Sequence, residues 1–105
     1  EQVADLYNPL HPAVLRLIQF TLGAAQRAGK PVSICGEIAG DPRYASLLVG
    51  LGVRELSMAS QSIPRVKQRI RSLDRGQATK RALAIMDQAD EGGVSALLDD
   101  FNESL

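Results

Sequence analysis

Residues 31–42 (PVSICGEIAGDP) limit the possible folds of this chain more than any other stretch. Val32 and Ile34 predict a short buried strand that ends at Cys35. The chain then turns through two glycines, and Asp41 followed by a proline predicts the capped start of a helix. The only cysteine of the chain therefore lies at the beginning of a βα loop, where α/β enzymes keep their reactive groups.

A second strand is predicted directly after this helix. The helix is expected to run from Pro42 to about Leu51, where glycines stop it, and residues 55–59 (ELSMA) then form a strand. A strand, a helix and a strand in so short a stretch make a βαβ unit, whose crossover is right-handed. The sequence therefore predicts an α/β fold in which the two strands pair in parallel.

Helices are predicted on both sides of this unit, which makes about five in all. Apolar residues at helical spacing begin after Pro12 and continue for about 17 residues until Gly29. Another helix follows the second strand, with Pro64 in its first turn and Ser62 as a candidate cap. Its basic residues are interpreted as a solvent-facing surface: Lys67, Arg69 and Arg71.

Two more helices are predicted between residue 74 and the end of the chain. The first has about 14 residues and ends where Gly92 and Gly93 break its pattern. The second carries acidic residues near its C-terminus, where the helix dipole disfavours them, so this end is expected to fray. The two helices share an apolar stripe made of Ala78, Ala82, Ile85, Leu97, Leu98 and Phe101. Since the rest of the sequence offers this stripe no obvious partner, we expect association into a homodimer.

Charge and composition exclude several classes of function. The chain has 12 basic and 12 acidic residues and no formal net charge, so nothing favours binding to nucleic acid or to an anionic membrane surface. No apolar run approaches the roughly 20 residues of a membrane span. One cysteine cannot form an internal disulfide, which suits a cytoplasmic location. One cysteine and one histidine cannot assemble a zinc site, and the glycine spacings match neither a phosphate loop nor a dinucleotide fingerprint.

Separated blocks of sequence resemble one family of enzymes. Residues 33–41 (SICGEIAGD) resemble the signature near the C-terminal end of the phosphoenolpyruvate-utilising barrel in enzyme I of the sugar phosphotransferase system and in its nitrogen-related paralogue. The likeness continues, in the same order, in residues 7–15 (YNPLHPAVL), 56–58 (LSM) and 62–67 (SIPRVK). Pyruvate phosphate dikinase and phosphoenolpyruvate synthase are similar around the cysteine, but the SIPRVK block is more similar to enzyme I.

This resemblance implies both a fold and an activity. The fold is a C-terminal fragment of a (β/α)8 barrel, with residues 1–75 as its last βα units and 76–105 as C-terminal helices in one partial domain, 1–105. The activity is that of a phosphoenolpyruvate-protein phosphotransferase, in which phosphoenolpyruvate gives its phosphoryl group to a histidine of another domain. The resemblance assigns Cys35 as the proton donor to the resulting pyruvate enolate. A thiol with a pKa near 8.5 is mostly protonated at neutral pH, so it can act as this acid.

The resemblance also implies partners that this chain does not supply. They are phosphoenolpyruvate, a phosphocarrier protein (HPr or its nitrogen-branch equivalent), a second copy of the enzyme, and Mg²⁺. The family's magnesium ligands, substrate arginines and phosphohistidine would precede residue 1. The chain alone is therefore expected to bind no metal and to be inactive.

Several interpretations stay open. Glu37 would either orient the thiol or satisfy loop and helix amides, and Gly36 and Gly40 are expected to supply backbone turns with φ > 0. His11, the only histidine, is interpreted as a helix cap or a packed surface residue rather than as a phosphoryl acceptor. The chain as a whole is alternatively a dimerisation or structural module without chemistry of its own, or an ordinary small α/β domain with a buried cysteine.

Overall fold

The computed structural model describes residues 8–105, which form a two-stranded sheet and six α-helices. The elements in chain order are α1 (Pro12–Ala28), β1 (Ser33–Cys35), α2 (Glu37–Gly40), α3 (Pro42–Leu51), β2 (Glu55–Ser57), α4 (Ile63–Arg71), α5 (Arg75–Met86) and α6 (Glu91–Glu103). The predicted surface connection over residues 1–10, and the start of the 7–15 block, lie partly outside the described residues. The single turn α2 is the helix that the sequence did not predict.

The two strands pair in parallel, as predicted. Ser33 lies opposite Glu55, and Cys35 lies opposite Ser57, which ends β2 two residues before its predicted end. The prediction of a buried strand is wrong, because Val32 and Ile34 are only half-buried and Cys35 is exposed. Within the described residues β1 has one neighbouring strand, so one side of its backbone and much of its side-chain surface stay uncovered.

The predicted helix ends are mostly confirmed by their caps. His11 precedes α1, and its Nδ1 accepts a hydrogen bond of 3.0 Å from the amide of Ala13, which confirms the capping interpretation. Gly29 ends α1 with a φ of 66°, the left-handed conformation in which glycine is favoured. Ser62 is the exception, since it already has helical dihedral angles and its side chain makes no capping hydrogen bond. A 3₁₀ turn, Ser60–Ser62, leads directly into α4 and leaves the serine no capping geometry.

The paired glycines near residue 92 do not end a helix. α5 already ends at Met86, so it has 12 residues rather than about 14. Gly92 and Gly93 lie in the first turn of α6, where Asp90 is the cap and accepts a hydrogen bond of 2.8 Å from the amide of Gly93. The interruption between α5 and α6 is instead the short connection that ends at this aspartate. The carboxylate at the N-cap stabilises the start of α6 enough to offset the low helix propensity of the two glycines.

The main core lies where α3, α5 and α6 pack together. Its buried members are Leu10, Leu15, Leu47, Ala78, Ala82, Ile85, Val94, Leu98 and Phe101. The apolar stripe of α5 and α6 is thus covered by α3 of the same chain, so the argument for a homodimer from an unpartnered stripe is wrong. A smaller cluster of Ile38, Leu48 and Val53 joins α3 to the sheet.

Acidic residues near the end of α6 are paired with arginines of other helices. Asp99 lies 3.0 Å from Arg43 of α3, and Asp100 lies 2.9 Å from Arg81 of α5. The expected fraying is not seen, since α6 stays helical to Glu103. Cations from neighbouring helices offset the unfavourable interaction of these acids with the helix dipole.

Asn102 of α6 joins three helices through hydrogen bonds. Its Nδ2 donates to the carbonyl oxygen of Arg43 over 2.9 Å, and its Oδ1 accepts from the hydroxyl of Ser46 over 2.8 Å. Its own carbonyl accepts from the guanidinium of Arg69 on α4 over 3.1 Å. Lys67 and Arg71 are exposed, as predicted, whereas Arg69 is half-buried and connects α4 to the end of α6.

We expect the Asn102→Ala substitution to lower the free energy of unfolding of the chain by about 1–3 kcal/mol. The loss leaves the fully buried hydroxyl of Ser46 and the carbonyl of Arg43 without their partners. Urea unfolding followed by circular dichroism measures this change. Glu103→Ala is the matched control, since Glu103 is the next residue of α6 and is exposed. Equal unfolding midpoints for the two variants would show that the Asn102 side chain does not join the helices.

Candidate functional site

An open pocket of about 710 Å³ lies at the carboxyl ends of the two strands. It is lined by Cys35, Gly36, Glu37, Gly40, Asp41, Pro42, Ser57, Met58, Ala59, Ser62 and Arg65. These residues come from the ends of the two strands, the short helix α2, the loop and 3₁₀ turn after β2, and the first turns of α3 and α4. Parallel strands end at the same edge of their sheet, so both loops meet there. We call this site the Cys35 pocket.

The thiol of Cys35 is exposed within this pocket. The parallel register places Cys35 beside Ser57, so the last residues of both strands form the floor of the pocket. Gly36 follows with a φ of 85°, a conformation that side chains with a Cβ atom rarely adopt. This turn carries the chain away from the strand and leaves the thiol open to solvent. An ordinary domain with a buried cysteine is therefore excluded.

The other predicted loop residues behave differently from one another. Gly36 has the positive φ that the sequence predicted. Gly40 does not have a positive φ, and it ends α2. A Cβ atom at Gly40 would lie 3.4 Å from the Cβ of Met58, which is an ordinary contact. Glu37 lines the pocket, but no hydrogen bond of its carboxylate is present within residues 8–105. Its two predicted roles stay predictions.

Polar contacts between α3 and α6 fix one wall of the Cys35 pocket. Asp41 caps α3 by accepting a hydrogen bond of 2.9 Å from the amide of Arg43. The Arg43 guanidinium in turn donates to Asp99 and, over 2.8 Å, to the hydroxyl of Ser95. The hydrogen bond with Asp99 raises the pKa of Arg43, although partial burial acts in the opposite direction. The arginine therefore stays charged and holds the start of α3 against α6.

Sequence reasoning missed Arg65 as a residue of this pocket. In the sequence this arginine stands out only as part of the SIPRVK block. The other basic residues of α4 predict a solvent-facing surface. Its position could have been inferred from Pro64, which marks the first turn of α4. The first turn of a helix that follows a parallel strand lies beside the carboxyl edge of the sheet.

Residues 8–105 contain neither a metal-binding cluster nor a membrane-spanning helix. No cluster of three or more histidine, cysteine, aspartate or glutamate side chains could hold a metal ion there. None of the helices in that part of the chain has the length and apolar character needed to cross a membrane. His11 does not line the Cys35 pocket, so the structure does not bring the single histidine and the single cysteine together.

Comparisons with known proteins agree on one group of enzymes. Residues 1–75 match the family model described as PEP-utilising enzyme, PEP-binding domain, where PEP is phosphoenolpyruvate. A phosphoenolpyruvate-protein phosphotransferase of Cupriavidus necator is 56% identical over 68 residues, which are 65% of this chain and 12% of that protein.

Two further relatives match almost the whole chain. Multiphosphoryl transfer protein 1 of Escherichia coli is 42% identical over 100 residues, or 95% of this chain and 12% of that protein. A phosphoenolpyruvate-protein phosphotransferase of Haemophilus influenzae is 38% identical over 101 residues, or 96% of this chain and 18% of that protein. The chain thus spans less than a fifth of the length of these curated relatives.

Proposed function

Because this chain belongs to the PEP-utilising enzymes and carries their PEP-binding domain, we propose that it supplies the proton donor of a phosphoenolpyruvate-protein phosphotransferase. The observation that carries the proposal is the exposed thiol of Cys35 in a pocket at the carboxyl ends of two parallel strands. In α/β enzymes this edge of the sheet is where reacting groups are placed.

The proposed step is the protonation of the pyruvate enolate. Transfer of the phosphoryl group to a histidine nitrogen of another domain breaks the bond between phosphorus and the enol oxygen, which leaves the enolate. The S–H group of Cys35 then gives its proton to the methylene carbon, so that pyruvate and a thiolate remain. In the reverse direction the thiolate removes a proton from the methyl group. A thiol is suited to both directions, because its usual pKa of about 8.5 lies close to neutral pH.

We further propose that the chain forms the last two βα units of an eight-stranded barrel. Two features support this proposal. The outer edges of β1 and β2 have no neighbouring strand within residues 8–105, and an apolar groove of about 600 Å³ lies open beside β2. The apolar side chains of this groove are Val49, Val53, Leu56, Met58, Ile63, Val66, Ile70 and Leu73. A complete barrel needs about 250 residues, so the other strands would come from outside this chain.

The remaining components would also come from outside this chain. The donor set for Mg²⁺ does not fit residues 8–105, which contain no suitable cluster, so we place the metal elsewhere in the complete enzyme. The phosphocarrier protein would accept the phosphoryl group from the histidine of the other domain. We propose a homodimer for the complete enzyme only. The apolar stripe of α5 and α6 does not support this proposal. A cytoplasmic location suits the exposed free thiol.

We expect the chain alone to show no turnover of phosphoenolpyruvate, with or without Mg²⁺. Groups that stabilise the transferring phosphoryl charge are each worth on the order of several kcal/mol, and the proposal places them outside this chain. The measurement is pyruvate formation in the presence of a phosphocarrier protein. The positive control is an exchanged enzyme, in which this chain replaces the matching segment of the Haemophilus influenzae phosphotransferase.

The two proteins together test the proposed function. Pyruvate formation by the exchanged enzyme, and none by the chain alone, is the expected result. Turnover by the isolated chain would contradict the proposed division of the site. A folded exchanged enzyme without activity would show that this domain cannot supply the proton donor.

A further inference from the structure

Arg65 is the one cationic side chain that lines the Cys35 pocket within residues 8–105. It lies in the first turn of α4, and it also lines a neighbouring groove together with Pro42 at the start of α3. The other basic residues of α4 are directed elsewhere. Lys67 and Arg71 line a separate surface groove, and neither lines the Cys35 pocket.

The guanidinium of Arg65 has no protein partner among the described residues. The two ion pairs of residues 8–105 join Arg43 to Asp99 and Arg81 to Asp100, and no hydrogen bond of the Arg65 side chain is present there. Two carboxylates line the pocket. That of Asp41 accepts a hydrogen bond from the amide of Arg43 and so caps α3. The carboxylate of Glu37 lies more than 4 Å from any guanidinium nitrogen of Arg65, since the two form no ion pair.

Arg65 differs in this respect from Arg69, which lies one helical turn further along α4. Arg69 donates to the carbonyl of Asn102 and so connects α4 with α6. Two like charges at positions i and i+4 destabilise a helix by a few tenths of a kcal/mol. The contact of Arg69 offsets this cost for one of the two arginines. Within the described residues no contact offsets this repulsion for Arg65, the arginine that lines the Cys35 pocket.

The helices behind the pocket hold α4, which carries Arg65, and α3 in place. Asn102 binds α3 through Arg43 and Ser46, and binds α4 through Arg69. The two helices whose first turns line the Cys35 pocket are therefore joined to the same residue of α6, α3 near its start and α4 near its end. An anion in the pocket would have both Cys35 and Arg65 among the residues around it.

We propose that Arg65 is a substrate-binding residue that holds an anionic group of phosphoenolpyruvate in the Cys35 pocket. This inference rests on the proposed function, which gives the pocket a substrate with a carboxylate and a phosphate group. A guanidinium binds either group with two parallel hydrogen bonds. Such a contact would orient the substrate so that its methylene carbon faces the thiol of Cys35.

The test measures how well phosphoenolpyruvate protects Cys35 from alkylation by iodoacetamide in the exchanged enzyme. Mass spectrometry of the peptide that contains Cys35 gives the alkylation rate, with Mg²⁺ present throughout. We expect Arg65→Gln to raise the concentration for half-protection by roughly 10- to 100-fold, which is the usual effect of losing a hydrogen bond to a charged group. Arg65→Lys should fall between this variant and the unmodified protein, because lysine keeps the charge without the planar fork.

Arg71→Gln is the matched control. It removes the same charge from the same exposed helix, outside the pocket, and should leave the half-protecting concentration within about twofold of the unmodified value, since an exposed charge contributes little. Pyruvate and inorganic phosphate serve as two further protecting anions. The one whose protection weakens more in Arg65→Gln identifies which group of the substrate the arginine binds.

Each outcome has a definite meaning. Equal half-protecting concentrations for Arg65→Gln and Arg71→Gln would overturn the inference about Arg65 while leaving the proposed function in place. If Arg65→Gln lowers the melting temperature but leaves protection unchanged, the arginine forms an ion pair with another part of the enzyme and the inference is wrong. No protection by phosphoenolpyruvate in the unmodified protein would contradict the proposed function itself.

Discussion

Replacing Cys35 by serine is expected to lower the turnover of phosphoenolpyruvate by the exchanged enzyme by about 100- to 10,000-fold, the usual contribution of a general acid. A serine hydroxyl keeps the size and position of the thiol, which is exposed at the end of β1. It is a much weaker acid, so the enolate would lose its proton donor without loss of the fold. The rate of pyruvate formation measures this effect.

A second measurement isolates the proton transfer from the phosphoryl transfer. In deuterated water the thiolate should catalyse exchange of the methyl hydrogens of pyruvate, which proton nuclear magnetic resonance follows directly. We expect Cys35→Ser to slow this exchange to a similar degree. Ser33→Ala is the control, because Ser33 lies on the same strand but does not line the Cys35 pocket. Undiminished exchange in Cys35→Ser would assign the proton to another group and favour a structural role for this domain.

Gly50→Ala is expected to destabilise the chain, although alanine usually stabilises a helix. Gly50 lies inside α3, where an added Cβ atom would lie 2.8 Å from the Cβ of Ala82 and closer still to the carbonyl oxygen of Ala78. Both alanines belong to the buried core. The obstructing atom is part of the backbone of α5, so the whole helix would have to move. Overpacking of this kind costs about 1–3 kcal/mol, of which better helix propensity returns about 0.5–1 kcal/mol.

The measurement for Gly50→Ala is the melting temperature of the chain. Each kcal/mol shifts it by about 4–8 °C in a domain of this size, and Gly50→Val should produce a larger decrease. Gly23→Ala is the matched control, since Gly23 lies inside α1 and its added Cβ would meet only the mobile end of Arg27, at 3.3 Å. This control should keep or slightly raise the melting temperature. Similar shifts for both alanine variants would mean that α3 and α5 do not depend on close approach at Gly50.

Local signals in the sequence predicted the elements of the fold well. His11, Gly29 and Asp41 mark helix ends through interactions with their nearest neighbours in the chain, so the residues themselves carry the necessary information. The same is true of Cys35, which ends a strand and precedes a glycine turn. The parallel pairing followed from the length of the connection between the strands.

Features that depend on distant partners were not predicted. Gly50 was interpreted as a helix stop, but its role is to let α5 approach, and no pattern in α3 reveals that. The apolar stripe of α5 and α6 was assigned to a second molecule because its partner, α3, lies much earlier in the chain. Arg65 joins the pocket only when two loops far apart in sequence meet at one edge of the sheet.

The parallel sheet also sets an order of events during synthesis of the protein. β1 can pair only with β2 within the described residues, and Ser33 finds its partner only when Glu55 has left the ribosome. A hairpin would have formed at once, but a parallel pair must wait for the whole crossover. Until then the loop with the thiol has no neighbouring strand among residues 8–105. The loop that carries the exposed thiol is therefore translated before the strand that lines the Cys35 pocket with it.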